Sequence, residues 1–77
     1  MYKVKDFEKL KNYGFVGYKD GYSKKVRGKD YDFLDVSFED RIIKKVKFVN
    51  GHFVYSNAEA SDIPFLIKNK LVKEHKE

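Results

Sequence analysis

Two runs of alternating apolar and polar residues, joined by Asn50-Gly51, give the clearest structural signal in this chain. An Asn-Gly pair between strand-like residues predicts a hairpin with a two-residue type I′ turn, which needs positive φ at both central positions. That turn fixes the register, so Val49 is expected opposite His52, and Lys45 opposite Ser56. One face of the hairpin is then apolar and the other mixes apolar and basic side chains: Val46, Phe48, Phe53 and Tyr55 on the first, and Lys45, Lys47, Val49, His52, Val54 and Ser56 on the second.

The segment from Tyr31 to Phe38 also alternates and predicts the strand that precedes the hairpin. The loop after it decides how the two units align, because a one-residue change of register moves every side chain to the other face. A three-residue loop, 39–41, opposes Leu34 to Val46 and brings the apolar sides together, whereas a two-residue loop separates them. The sides of this strand differ clearly in character: Leu34, Val36 and Phe38 on one, and Tyr31, Phe33, Asp35 and Ser37 on the other.

We therefore expect the three-residue loop and the cross-strand pairs that follow from it. On the inner side it pairs Phe38 with Ile42 and Val36 with Lys44, whose ammonium group then has to reach solvent at an edge. On the outer side three pairs combine acidic or aromatic residues with the hairpin: Asp35 with Lys45, Phe33 with Lys47, and Tyr31 with Val49.

The flanking segments predict a helix at each end of the chain and one or two further strands. Residues 4–13 place Phe7 and Leu10 on one side and stop at Gly14, which indicates a short amphipathic helix with a glycine cap. Residues 21–27 are expected to form a strand before a turn at 28–30, and residues 15–18 are a further extended candidate. The closing helix has Ser61 or Asp62 as its N-cap, Pro64 in its first turn, and an apolar stripe of Ile63, Ile67 and Leu71.

These elements define an α+β protein with a three- to four-stranded antiparallel meander sheet between an N-terminal and a C-terminal helix. The simplest arrangement has two layers, with both helices on the Leu34 and Val36 side of the sheet. The apolar content of the opposite face leaves a sandwich, with one helix on each side, as the alternative. With 77 residues the chain is expected to form a single small domain, 1–77.

Composition restricts how this domain is stabilised and where it acts. The chain has no cysteine, which excludes disulfides and thiolate-bound zinc and fits a cytoplasmic protein. Seven Phe and six Tyr supply large apolar surfaces instead. The sequence contains neither a run of about 18 apolar residues nor an apolar segment behind its N-terminus, so we expect no membrane association and no secretion signal.

The positive charge is concentrated in the first part of the chain. Residues 1–30 contain nine Lys and Arg against four Asp and Glu, whereas residues 31–77 contain eight of each. Such asymmetry points to an anionic partner, although lysines on an outer strand also serve to prevent edge-to-edge aggregation. Together with the outer face of the predicted sheet, these residues form a candidate partner-binding surface: Lys24, Lys25, Arg27, Lys29, Tyr31, Phe33, Ile43, Lys45, Lys47, His52 and Val54.

Three interpretations of this surface remain open. It contacts a partner protein or a second copy, it binds single-stranded nucleic acid through ring stacking and lysine–phosphate contacts, or it is covered within the molecule. The first is preferred, because lysine outnumbers arginine and no RNA-recognition motif is present. No catalytic group, cofactor, metal site or small-molecule substrate is expected, since His52 has no orienting partner and the glycines suit turns rather than a phosphate loop.

The layout resembles small uncharacterised proteins encoded by phages and prophages of low-GC Gram-positive bacteria. The resemblance lies in a short helix running into Tyr13-Gly14-Phe15, a compact meander, and Asp62-Ile63-Pro64 opening a closing helix. It covers most of the chain but contains no specific motif, and no functional residue is carried over from it. It implies a host-directed binding or inhibitory role.

Overall fold

The protein is an α+β fold built on a five-stranded antiparallel sheet, as seen in a computed structural model that describes residues 1–76. The five strands lie side by side in chain order, so the large sheet is a meander. Their bounds are β2 Val16–Tyr18, β3 Gly21–Lys25, β4 Phe33–Ser37, β5 Ile43–Val49 and β6 His52–Asn57.

A second, two-stranded sheet joins the ends of the chain. Strand β1 (Tyr2–Val4) pairs antiparallel with β7 (Val72–Glu74). Three short helices lie in the segments of the chain that connect the two sheets. They are a 3₁₀ helix at Phe7–Tyr13, a second one at Ala60–Asp62, and an α-helix, α1, at Pro64–Lys68. The predicted α+β class and antiparallel meander are confirmed, but the sheet has five strands rather than three or four and the terminal strands form a small sheet of their own.

The core lies on one side of the large sheet, between it and the helical segments. Leu34, Val36 and Ile43 point into it from the sheet and are essentially inaccessible to solvent. Leu10 from the first 3₁₀ helix and Leu66 from α1 close it from the opposite side. The helical segments therefore share one face, as the two-layer prediction required, and the sandwich alternative is wrong.

The helices themselves are shorter than predicted. Val4, predicted to begin the first helix, is the last residue of β1 instead, and the helical segment that follows is 3₁₀, ending at Gly14 with φ +89° as expected. The closing helix has only five residues, because Asn69 and a left-handed Lys70 end it before Leu71. Pro64 occupies its first turn as predicted, whereas the N-cap is Ile63 rather than Ser61 or Asp62.

The hairpin at Asn50-Gly51 is confirmed in every predicted pair, from Val49 opposite His52 to Lys45 opposite Ser56. Both turn residues have positive φ, as a type I′ turn requires.

The predicted register between β4 and β5 is wrong by one residue. Val36 lies opposite Ile43 rather than Lys44, and Leu34 opposite Lys45 rather than Val46. Because side chains alternate along a strand, this single step turns the whole hairpin over relative to β4. The other expected pairs fail with it: Phe38–Ile42 on the inner side, and Asp35–Lys45, Phe33–Lys47 and Tyr31–Val49 on the outer side.

Within residues 1–76, no helix combines the length and the apolar character needed to cross a bilayer.

Candidate functional site

The side of the large sheet that faces away from the core is rich in exposed aromatic residues. The register places Phe33 on the same face as Val46 and Tyr55, and Tyr18 on the same face of β2. We call this the outer face and define it by Val16, Tyr18, Phe33, Val46, Phe48, Phe53 and Tyr55. Most of its large side chains are open to solvent, with exposed fractions of 71% for Val16, 43% for Tyr18, 52% for Phe48, and 56% for both Phe53 and Tyr55.

The middle of the outer face is a shallow depression of about 310 Å³. Its floor is Val46, which is 4% exposed but is not part of the core cluster on the other side of the sheet. Its walls come from four strands: Tyr18, Ser23, Phe33, Asp35, Phe53 and Tyr55. An apolar floor surrounded by rings is a surface into which an apolar side chain of another molecule fits.

One polar contact holds the rim of this depression. The Tyr18 hydroxyl donates to the Asp35 carboxylate at 2.7 Å, across the intervening strand β3. Burial raises the pKa of Tyr18 above its ordinary value, and this hydrogen bond and the Asp35 charge raise it further. The Asp35 carboxylate therefore has a protonated donor at neutral pH, and it orients the Tyr18 ring at the edge of the face.

The hairpin of β5 and β6 projects beyond β4 and carries the outermost rings. Beyond Val46 it is two-stranded, with Phe48 and Phe53 in an edge-to-face contact at 5.0 Å between ring centres. Asp32 anchors its base, because its backbone N–H donates to the Val46 carbonyl and its carboxylate accepts from the Phe48 N–H at 3.0 Å. The strand that carries Phe48 is thus fixed at its base by the residue just before β4.

The structure disperses the predicted partner-binding residues instead of gathering them. Tyr31 and Ile43 are buried in the core. Of the remaining members, Phe33 and Lys25 lie on the outer face, whereas Lys47, His52 and Val54 lie on the opposite side of the projecting hairpin, exposed. Arg27 and Lys29 are exposed in the connection between β3 and β4. The surface as predicted does not exist, because it combined both faces of the sheet.

Lys24 and Lys45, the other two members, are on the core side with partners of their own. Lys24 Nζ donates to the Tyr13 carbonyl at 2.7 Å and lies 4.6 Å from the centre of the Phe65 ring. Lys45 Nζ lies 3.4 Å from the Asp62 carboxylate and 5.7 Å from the centre of the Tyr31 ring. These contacts tie helical segments to the sheet, so both lysines have structural roles.

Asp62 is the centre of this second cluster. Burial by itself raises the pKa of its carboxyl group, but the hydrogen bond from the Glu59 N–H and the charge of Lys45 outweigh it, leaving the pKa below its ordinary value. Burial and the same carboxylate raise the pKa of Tyr31 to about 12. Asp62 is therefore ionised and Tyr31 protonated at neutral pH.

Neither serine that sequence reasoning offered as a nucleophile lies beside His52 in the described part of the chain. His52 lies at the tip of the hairpin on the face opposite Phe53, while Ser23 lines the depression on the outer face. Ser56 is four residues along the same strand, about 13 Å away at the usual rise of a β-strand. Within residues 1–76, no three His, Asp or Glu side chains come together as a metal-binding group.

Sequence reasoning missed the residues that form the outer face, because it assigned Phe48, Phe53 and Tyr55 to the core. Their spacing at every second position resembles that of a half-buried strand, and nothing local distinguishes an exposed apolar face from a buried one. The excess of rings in a small domain was the available signal, since 13 aromatic residues exceed what the core of this chain holds.

Comparison of the chain with protein-family models, with curated proteins and with solved structures finds no match. The host-directed role implied by the phage-like layout stays a prediction.

Proposed function

We propose that the protein is a non-enzymatic binding module, acting in the cytoplasm, whose outer face contacts a protein surface. The observation that carries this proposal is the contiguous exposure of Tyr18, Phe48, Phe53 and Tyr55 around the floor residue Val46. Monomeric proteins seldom leave an apolar patch of this kind uncovered, because its burial against another molecule is favourable at about 25 cal/mol per Å². Aromatic residues are also the type most enriched at the energetic centres of protein interfaces.

The charge distribution favours protein over nucleic acid as the occupant. A nucleic-acid platform needs cations beside its rings to meet the phosphates. On the outer face, Lys44 is paired with Asp40 at 3.0 Å, and the Asp35 carboxylate lies in the wall of the depression. Lys24 and Lys45 are used inside the fold, so of the densest basic segment only Lys25 shares the outer face with the rings.

The test compares Phe53→Asp with Ile67→Asp in assays of association. Both residues are exposed apolar positions, but Ile67 lies on α1, on the opposite side of the molecule. We expect the wild type and Ile67→Asp to associate equally, either with themselves in sedimentation experiments or with a protein captured from cell extract. Phe53→Asp should lose this association while keeping the circular dichroism spectrum of the wild type.

A fluorescent single-stranded oligonucleotide supplies the contrasting outcome. Binding that weakens with salt at a slope of roughly −0.7 per phosphate neutralised, and that is lost in Phe53→Asp, would assign the face to nucleic acid instead. Equal behaviour of all three proteins in every assay would refute a binding role for the outer face.

A further inference from the structure

Strand β6 is an open edge of the large sheet, and its hydrogen-bonding pattern can be read residue by residue. The Ala58 N–H donates to the Ile43 carbonyl, which continues the β5–β6 ladder one step past Ser56. Because antiparallel pairs alternate between bonded and non-bonded, Val54 and Ser56 point their backbone groups at β5. Phe53 and Tyr55 therefore direct their N–H and carbonyl groups away from the sheet, where no strand of residues 1–76 pairs with them.

This edge lacks the features that usually prevent strands from adding to one another. Proteins ordinarily prevent such pairing by keeping the edge strand short, by placing lysine or proline on it, or by covering it with another segment. β2, the other edge of the large sheet, has three residues including Gly17 and is followed by Lys19. β6 has six residues, all exposed, without proline, glycine, Lys, Arg, Asp or Glu.

We propose that β6 pairs antiparallel with β6 of a second copy, centred on Val54, so that two large sheets form one continuous sheet of ten strands. This proposal goes beyond the proposed function, since pairing at the edge of β6 joins two outer faces side by side and covers neither of them. A two-fold axis perpendicular to the sheet places Val54 opposite Val54 of the second copy. Phe53 then lies opposite Tyr55 of the second copy, with their outward backbone groups exchanging hydrogen bonds.

The side chains of β6 and its lack of charged residues both favour pairing with β6 of a second copy. On the outer face the pairing extends the row from Phe48 through Phe53 to Tyr55 of the second copy, and cross-strand aromatic pairs are favourable. On the other face His52 meets Ser56 of the second copy, so no like charges are opposed. For a protein of net charge +5, the neutral β6 is a place where two copies approach with little repulsion.

Single cysteines test both the pairing and its register, because the chain contains no cysteine of its own. Val54→Cys places the two thiols directly opposite each other, whereas in Tyr55→Cys they are diagonal, about 7–8 Å apart, which is too far for a disulfide. Val16→Cys is the exposed control on the other edge. Under mild oxidation we expect Val54→Cys to form covalent dimers at least about tenfold faster than either control, through the raised effective concentration of paired thiols.

Amide hydrogen exchange of the wild type gives a second readout. The N–H groups of Phe53 and Tyr55 should become protected as protein concentration rises, while those of Val54 and Ser56 are protected at every concentration. Equal cross-linking of Val54→Cys and Val16→Cys, or faster cross-linking of Tyr55→Cys, overturns the proposal. If that happens while Phe53→Asp still abolishes capture of another protein, the proposed function stands and only the pairing of β6 is wrong.

Discussion

At the scale of single residues, Asp62 links the helical layer to the sheet. Its carboxylate accepts the Glu59 N–H at 2.9 Å and lies 3.4 Å from Lys45 Nζ on β5. Both contacts are stronger with the ionised form, which is why the pKa of the group lies below its ordinary value although burial opposes this. A carboxylate of this kind stabilises the fold only while it is charged.

We expect Asp62→Asn to lower the free energy of unfolding at pH 7 by about 1–3 kcal/mol, the usual cost of losing a charged hydrogen-bond partner in a mostly buried place. Because the pKa is lower in the folded state, the contribution of Asp62 is complete above the unfolded-state value of about 4 and is lost as pH falls through the folded-state value. Urea unfolding from pH 7 down to pH 2 should show wild type and variant converging in acid. Glu8→Gln, which alters an exposed pair with Lys11, serves as the control.

Gly21 is the residue whose lack of a side chain is most strictly required. A Cβ at this position would overlap the Val36 carbonyl oxygen, because β3 and β4 approach closely there. Gly17 differs, since a Cβ added to it would meet only the edge of the Tyr22 ring.

Gly21→Ala is therefore expected to cost about 1–3 kcal/mol of stability, as overpacking against backbone does, and Gly17→Ala clearly less. Thermal unfolding of the two variants side by side is the measurement. A larger loss in Gly17→Ala would mean that β3 and β4 are not packed as described.

At the scale of the elements, the loop between β4 and β5 decides which way the hairpin faces. Arg41 adopts a left-handed conformation with φ +64°, and its N–H donates to the Ser37 carbonyl. Its guanidinium donates to the carbonyls of Val4 at 2.8 Å and Lys5 at 2.7 Å, the last residue of β1 and the one after it. Contacts with a segment 36 residues away in sequence thus select a loop that the local residues do not indicate.

Leu34 and Phe48 lie on opposite faces of the sheet, so truncating them is expected to cost unequal amounts of stability. Leu34→Ala leaves a cavity in the core and should cost about 2–5 kcal/mol. Phe48→Ala removes an exposed ring with a single edge-to-face partner and should cost about 0.5–1.5 kcal/mol. Chemical unfolding compares the two variants directly. An equal or larger loss for Phe48→Ala would support the register predicted from sequence, in which the Phe48 ring is buried.

At the scale of the whole molecule, the fold is closed by joining its two ends. The N-terminal ammonium donates to the His75 carbonyl at 3.0 Å, and the His75 N–H donates to the Met1 carbonyl at 2.8 Å. Val4 and Val72, opposite each other in this terminal sheet, are both buried in the core. The terminal sheet is therefore part of the hydrophobic core and not an appendage.

Truncation after Leu71 is expected to abolish cooperative unfolding, because it removes β7 and exposes Val4. Truncation after Glu74 keeps every pair between β1 and β7 and should retain most of the stability. Calorimetry of both shortened chains distinguishes the cases. A cooperative transition in the chain ending at Leu71 would show that the large sheet and its helical layer are sufficient by themselves.

The sequence by itself determined the features whose causes are local. Asn50-Gly51 fixed a hairpin and its register, since both residues tolerate positive φ. Gly14 ended a helical segment in the same way, and alternation correctly placed Leu34 and Val36 inside.

Only the tertiary structure decided which face of that hairpin meets the core and that the chain ends pair. Both depend on contacts between distant residues, Arg41 with Val4 and Lys5, and β1 with β7. A one-residue change in the loop at Arg41 exchanges the faces, and an alternating pattern reads the same in either orientation. The position of the rings of the outer face was thus settled by long-range packing and not by the pattern that contains them.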